Sequence, residues 1–215
     1  MPAGYLNRAL WAAMLVAMLV LGWQYRDAYL NSQGVLEVIA DGPRDTLVLA
    51  WSGKIAPPMR EKISAALAEH GAGRRTVVLS LNSPGGLLGY GDSVNALLRE
   101  IAANHRLETT VEAGHACASM CVPIYLQGQV RTAAPRARFM FHEVSQVDLL
   151  RAERVETSSS ERTASTDRFL ARYFKGAGVS DAWLADVRPK MTGRDYWRTA
   201  EQLVEEKAGI VQTLR

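Results

Sequence analysis

The stretch TVVLSLNSPGG, residues 76–86, joins an apolar run to an abrupt loop. A run of valine and leucine that ends at turn-forming residues is typical of a strand buried in a parallel sheet. Helical patterns flank this strand. One begins at Pro57-Pro58 and ends near His70, and the other places the apolar side chains of residues 88–101 on one face. This order of helices and strands predicts an α/β fold with a parallel sheet and right-handed crossovers.

Further strands are predicted on both sides of this unit. Residues 35–39 alternate like a strand, residues 46–51 form a second apolar run, and residues 109–112 form the next strand after the helix. We therefore expect one domain over residues 46–215, preceded by a spacer with the first strand at residues 27–45.

The C-terminal third is predicted to contain several helices. Residues 169–174 restore helical periodicity, Ser180 can cap a helix over residues 180–187, and Thr199 with Gln202 forms a capping-box pattern for the last helix. Residues 144–166 are polar and predict a mobile loop or a weak helix.

The N-terminus contains an unbroken apolar run from Ala9 to Trp23. Extension of this run to Tyr5 and Tyr25 gives about the thickness of a bilayer, with aromatic side chains where interfacial anchors belong. No small-residue cleavage site follows the run. Residues 1–26 therefore predict an uncleaved signal anchor, a single pass through the inner membrane that leaves the following domain in the periplasm. The alternative is a buried N-terminal helix of a soluble protein.

The charge balance argues against a nucleic-acid partner. The chain has 25 Lys and Arg against 22 Asp and Glu, a formal charge of +3. The basic residues are scattered among acids, and no basic stripe interleaved with aromatic residues is present of the kind that single-stranded nucleic acid requires.

Ser119 is the candidate nucleophile. It follows a predicted strand and precedes an apolar helical run at residues 122–126, where backbone amides and the positive end of the helix dipole are exposed. The Met120 amide would then point to the oxyanion of a tetrahedral intermediate. A serine that only caps the helix is the alternative interpretation.

The loop Gly85-Gly86 offers a second oxyanion donor, the amide of Gly86. A glycine is needed there because a Cβ atom would block the approach of a substrate backbone. Gly86 and Ser119 both follow strands, and ligands of parallel sheets bind at the carboxyl ends of strands. An ordinary tight turn is the alternative.

His142 ends a hydrophobic strand and is the candidate general base. His115 is a competitor, although its position before the serine turns it away from the nucleophile. Asp195 is the candidate acid that orients the imidazole, and Glu143 and Asp148 are alternatives that lie closer to His142 in sequence.

Cys117 and Cys121 lie one helical turn apart on either side of the candidate nucleophile. They are either small buried packing residues or a disulfide in an oxidising compartment. A disulfide between residues four apart is awkward on a regular helix. A zinc site is rejected because only His115 lies near them.

The order of these segments resembles the proteolytic subunit of the Clp protease, within the ClpP/crotonase superfamily. The matching segments are LNSPGG at residues 81–86, ASM at 118–120, RFMFH at 138–142 and RDYWRTA at 194–200. A helix and a Gly-Ile-Val ending follow, like the last strand of the family. The resemblance covers residues 46–211 and implies a ClpP/crotonase-like repeated ββα superhelix with a parallel sheet, in addition to the N-terminal transmembrane helix.

The resemblance also implies roles for the candidate residues. Ser119 would be the nucleophile, His142 the general base and Asp195 the acid, while the amides of Gly86 and Met120 would form the oxyanion hole. The substrate would be a peptide or an unfolded protein segment, no metal or organic cofactor would be required, and a homo-oligomer would be possible.

Several features depart from the family pattern and keep alternatives open. The family subunit is usually soluble and fed by a cytoplasmic ATPase, whereas the predicted anchor places this domain outside the cytoplasm, so we expect activity without ATP. Membrane-bound relatives such as signal peptide peptidase A use a serine–lysine dyad, which leaves Lys54 and Lys175 as alternative bases. A catalytically inactive scaffold and a crotonase-type acyl-CoA enzyme are the alternative functions.

Overall fold

The computed structural model describes residues 11–23, 33–39, 45–145, 147–148, 153–154 and 157–215. Residues 11–23 form a helix, α1, whose side chains are exposed on every face. Within the described ranges, no helix combines the length and the apolar character needed to cross a membrane. The rest of the predicted anchor, residues 1–10 and 24–26, lies outside the described residues.

A six-stranded sheet forms the centre of the domain, in the order β1-β2-β3-β4-β6-β11. The first two strands pair antiparallel, and every other neighbouring pair is parallel. This topology confirms the predicted mixed α/β fold with a mostly parallel sheet. The strands are β1 (Gly34–Ile39), β2 (Thr46–Gly53), β3 (Thr76–Asn82), β4 (Arg106–Val111), β6 (Val130–Ala133) and β11 (Thr213–Leu214).

A second, three-stranded sheet carries the candidate site, in the order β10-β7-β5. Its strands are β5 (Ala116–Ala118), β7 (Arg138–Phe141) and β10 (Tyr196–Thr199), and a two-stranded hairpin of β8 (Val147–Asp148) and β9 (Glu153–Arg154) lies nearby in sequence. The two larger sheets are joined at Ser83, just beyond β3. Its N–H donates to the Ala116 carbonyl at 2.7 Å, and its carbonyl accepts from the Ala118 N–H at 2.9 Å.

The remaining helices follow the sequence pattern. They are α2 (Met59–His70), α3 (Leu88–Asn104), α4 (Cys121–Tyr125), α5 (Ser159–Tyr173), α6 (Asp181–Lys190) and α7 (Ala200–Glu205). The predicted capping box of Thr199 and Gln202 is present at α7. Of the two alternatives for residues 144–166, the structure has the helix from Ser159 onward, where a second capping box, Ser158 with Glu161, starts α5.

The buried side chains of β2 and β3 show which face of the sheet forms the core. Leu47, Leu49 and Trp51 of β2 are buried, and their neighbours Val77, Leu79 and Leu81 on β3 are buried beside them. The intervening residues of β2 are only partly buried. One face of the sheet therefore packs against helices. The core on this face holds β3, so that the loop after β3 lies at the edge of the sheet where the candidate residues meet.

Candidate active site

Ser119 occupies a sharp turn between β5 and α4. Its φ angle is 51°, the left-handed region that residues other than glycine rarely adopt. The Ser119 N–H donates to the Met140 carbonyl at 2.9 Å, and the Ser119 carbonyl accepts from the Val122 N–H at 3.0 Å. The chain therefore holds the serine out of both elements, half-buried and facing the cleft described below.

Two glycines make room for this turn. Gly85 has a φ of +94°, and a Cβ atom there would lie 2.8 Å from Ser119 Cβ and 2.8 Å from the Ala118 carbonyl oxygen. Gly91 on α3 lies against Met120, and a Cβ atom there would come within 2.4 Å of the Met120 Cε. Glycine at these two positions lets the loop after β3 and the start of α3 close directly onto the turn.

A disulfide joins Cys117 to Cys121 across the turn, with their Cα atoms 5.2 Å apart. The disulfide interpretation of the two cysteines is confirmed, and the bond does not span a regular helix. Cys117 belongs to β5 and Cys121 begins α4, and the left-handed conformation of Ser119 bends the chain between them. Both cysteines are 0% exposed, so the bond is part of the core.

His142 approaches the serine from the neighbouring strand. Its Nε2 atom lies 2.8 Å from Ser119 Oγ. The parallel pairing of β5 with β7 sets Ala118 opposite Met140, and each candidate residue follows directly beyond that end of its strand. The alternative bases Lys54 and Lys175 are both exposed, and neither hydrogen bonds to Ser119 in the described part of the chain.

The other ring nitrogen of His142, Nδ1, contacts the Glu143 carbonyl oxygen at 2.5 Å. The Glu143 carboxylate, 10% exposed, accepts from the Gly193 N–H at 3.0 Å and pairs with Arg188 at 3.6 Å and Arg162 at 3.9 Å. Sequence reasoning weighed Glu143 only as an alternative acid. No spacing could reveal this cluster, because its members lie on separate elements.

Asp195 lies next to His142 at the end of the β7–β10 ladder, but its side chain does not bond to the imidazole. β10 pairs with β7 so that Tyr196 is opposite Phe141, which places Asp195 beside His142 at the end of the ladder. Its side chain is exposed and makes no hydrogen bond with the imidazole in the described structure. The side chain of the other alternative acid, Asp148, lies outside the described residues.

His115 does not join the site. It lines a shallow hollow on the far face of the six-stranded sheet, together with residues of β2, β3 and β4. Its Nδ1 atom is buried and has no hydrogen-bond partner among the described residues. Its sequence position before the serine therefore does not bring it to the nucleophile.

The two predicted oxyanion donors both line the cleft with Ser119. Ile55 brackets Gly86: its N–H donates to the Gly85 carbonyl at 2.8 Å, and its carbonyl accepts from the Leu87 N–H at 2.9 Å. These two bonds engage the Gly85 carbonyl and the Leu87 N–H, which flank Gly86. The Gly86 N–H itself has no acceptor among the described residues. The Met120 N–H likewise makes no hydrogen bond there, so both amides are available to a ligand.

The cleft has a volume of about 870 Å³ and runs between the start of α3 and the second half of α5. Burial, together with a hydrogen bond to Glu61, raises the pKa of the Tyr90 phenol, and burial with a bond to Asp92 raises that of Tyr173. Both phenols therefore stay neutral. The described residues contain no cluster of His, Cys, Asp and Glu able to hold a metal ion. Apolar side chains form the walls: Leu87, Leu88, Met140, Phe169, Leu170 and Phe174.

Comparison with known proteins agrees with this architecture. A single-residue mutant of ClpP1 from Listeria monocytogenes has a similar structure, with a TM-score of 0.57 and 21% sequence identity over 80% of this chain and 91% of that one. That match shows a shared fold. No match was found among curated protein sequences. The family model described as Clp protease matches residues 47–214. The chain therefore belongs to the Clp protease family.

Proposed function

We propose that the chain is a serine peptidase of the ClpP type in which Ser119 is the nucleophile and His142 the general base. The observation that carries the proposal is the 2.8 Å contact between His142 Nε2 and Ser119 Oγ. A peptidase needs a base within this reach of its nucleophile. The acyl-CoA alternative needs only the paired amides and gives no reason for the contact.

In this mechanism Ser119 Oγ attacks the carbonyl carbon of a peptide bond while His142 Nε2 takes its proton. The oxyanion accepts hydrogen bonds from the N–H groups of Met120 and Gly86. The tetrahedral intermediate collapses as the imidazolium returns the proton to the leaving amine. Water, deprotonated by the same imidazole, then hydrolyses the acyl-serine and regenerates the enzyme. No cofactor takes part in these steps.

The orienting group on the far side of the imidazole has two candidates. Asp195 stays the predicted acid because the β7–β10 ladder brings its backbone beside His142. The Glu143 carbonyl is the group that contacts Nδ1 in this structure. The proposal rests on the serine–histidine pair and the Glu143 carbonyl, and a substitution of Asp195, described in the Discussion, decides what the carboxylate adds.

The apolar cleft favours peptides with apolar side chains as substrates. Such side chains are buried in folded proteins and become accessible in unfolded segments. The proposed activity needs no ATP, because the proposed anchor places the domain outside the cytoplasm, where we expect no ATP-driven unfoldase. We also propose that the chain forms a homo-oligomer, because it belongs to the Clp protease family.

We further propose that α1 anchors the domain to a membrane and leaves it on the periplasmic side. Large apolar side chains surround this helix, with exposed fractions from 47% at Val20 to 72% at Leu19. A helix that is apolar on all sides is stable only when a membrane or another protein covers it. The buried disulfide supports an oxidising compartment for the domain.

A fluorophosphonate probe that reacts with activated serines tests the catalytic proposal. We expect wild type to be labelled, and Ser119→Ala and His142→Ala to lose labelling. Ser145→Ala, a second serine on the cleft wall, is the matched control and should label like wild type. Folded wild-type protein that takes up no probe would favour the inactive scaffold.

Membrane association is tested on the full chain by an alkaline wash of the membrane fraction. Wild type should stay in the pellet, whereas Leu15→Lys combined with Leu19→Lys should release it, because central lysines cost several kcal/mol in a bilayer. Val204→Lys, which places a lysine at an exposed apolar position on the domain, is the control. Release of wild type by the wash would overturn the anchor.

A further inference from the structure

We infer that the Cys117–Cys121 disulfide positions the catalytic serine, so that its loss slows acylation without loss of the fold. This inference rests on the proposed function, since it assigns the bond a role in presenting the nucleophile. The bond encloses three residues, Ala118, Ser119 and Met120. The closed loop therefore contains both the nucleophilic Oγ and one of the two proposed oxyanion donors.

The ends of this loop are anchored independently. Cys117 pairs with Phe139 in the three-stranded sheet. Cys121 begins α4, and that helix is held by Tyr125, whose hydroxyl donates to the Thr132 carbonyl at 3.0 Å. The disulfide links these two anchors directly, so the three enclosed residues cannot extend or shift along the strand.

The conformation that is enclosed needs such a constraint. Ser119 has a φ of 51°, which a residue with a side chain disfavours. Two hydrogen bonds of its own backbone and the contact from Gly85 support the turn from outside. Without the cross-link, relaxation of φ towards the extended region would swing Oγ away from His142 and turn the Met120 N–H out of the cleft.

Because the bond spans few residues, its effect on the position of the serine can be distinguished from a general stabilisation of the fold. A cross-link restricts the unfolded chain less when it closes a shorter loop, and this one joins residues only four apart. Its effect on the free energy of unfolding should therefore be smaller than that of a cross-link closing a longer loop, whereas its effect on the geometry of the enclosed residues is direct.

Burial makes the bond permanent once the domain has folded. Both sulfur-bearing residues are 0% exposed, so a reductant in solution has no direct path to them. The bond forms during folding, when the two thiols exchange with the disulfide of an oxidising thiol–disulfide partner. That partner takes up the two electrons and two protons and leaves as a dithiol.

The test compares the double variant Cys117→Ala/Cys121→Ala with wild type in saturable labelling by the fluorophosphonate probe. We expect the maximal labelling rate to fall about 100-fold, the loss typical of a nucleophile misplaced by about 1 Å. The probe concentration at half-maximal rate should change less than about twofold, because the cleft walls are untouched. The pH profile of labelling should keep its shape because His142 is retained.

Ile124→Ala is the matched control, since it removes buried volume from α4 without touching the bond or the hydrogen bonds of Ser119. It should label within about threefold of wild type, because the groups that hold the turn are retained. A folded double variant that labels as fast as wild type would overturn the inference and leave the proposed function intact. Wild type that does not label at all would instead overturn the proposed function.

A second measurement covers a double variant that does not fold. Wild type is unfolded with a phosphine reductant, refolded with limiting reductant so that the reduced and oxidised forms are both present, exposed briefly to the probe, alkylated in denaturant and weighed intact. Alkylation marks the reduced molecules, and we expect the probe adduct on unalkylated molecules only. Equal labelling of both species would contradict the inference. Failure of both the double variant and the reduced protein to fold would also overturn it, in favour of a role in folding as a whole.

Discussion

The two halves of the candidate site are built in different ways. Ser119 is fixed by a disulfide around it, by backbone hydrogen bonds and by glycine contacts from the loop after β3. His142 is fixed by one backbone carbonyl, whose residue is in turn held by arginines on two helices. The position of the proposed nucleophile therefore depends on packing and covalent geometry, and that of the proposed base depends on charge. Substitutions on the first side should abolish activity, and those on the second should reduce it by degrees.

Among the residues that support Ser119 and His142, the largest effect is expected from Gly85→Ala. Its new Cβ atom would lie 2.8 Å from both Ser119 Cβ and the Ala118 carbonyl, at a φ of +94°. Probe labelling should fall about 1,000-fold, the loss expected when an oxyanion donor is displaced. Gly89→Ala is the control, because a Cβ atom at that glycine meets nothing within 4 Å. Labelling of Gly85→Ala within tenfold of wild type would contradict the rigid picture of the nucleophile side.

A smaller effect is expected from Glu143→Gln on the base side. The amide oxygen can still accept from the Gly193 N–H, but the ion pairs with Arg162 and Arg188 are lost. The maximal labelling rate should fall about tenfold, less than the roughly 100-fold or more that general-base catalysis contributes, because His142 itself is retained. Glu206→Gln removes an ion pair with Arg198 and is the control. An unchanged rate would show that the charged cluster does not hold the base.

Asp195→Asn is expected to have a weaker effect still. The carboxylate is exposed and does not bond to His142, so labelling should fall no more than about threefold, compared with about 10,000-fold where a buried aspartate fixes the tautomer. A fall near that larger value would establish a contact between Asp195 and the imidazole in the working enzyme. The same labelling assay and pH profile provide the measurement.

The smallest expected effect concerns stability alone. Thr199→Ala removes the side chain that accepts from the Gln202 N–H and caps α7, directly after β10. Urea unfolding should show a loss of about 1 kcal/mol, the usual contribution of such a cap. Labelling should stay at the wild-type rate. A parallel loss of labelling would show that α7 helps to position the base, which would weaken the contrast between the two sides.

More of the fold than of the candidate site can be predicted from the sequence. The periodicity of apolar residues and the positions of turn-forming residues predict β2, β3, α2 and α3, because these local patterns reflect which face of each element is buried. They also predict Ser119 and His142 at strand ends. The Glu143 cluster could not be predicted, since Arg162, Arg188 and Gly193 reach it from distant parts of the chain. The bend that makes the disulfide feasible depends on one unusual φ angle, which no periodicity reports.

Under the role proposed for the disulfide around Ser119, its formation also sets the time at which peptidase activity begins. A newly made chain still in a reducing compartment would carry two thiols and an unconstrained serine, and would be a poor peptidase. Oxidation during folding would then act as a maturation step. Under the proposed mechanism, the cytoplasm that makes the chain would be spared its activity, and the compartment that oxidises it would switch it on.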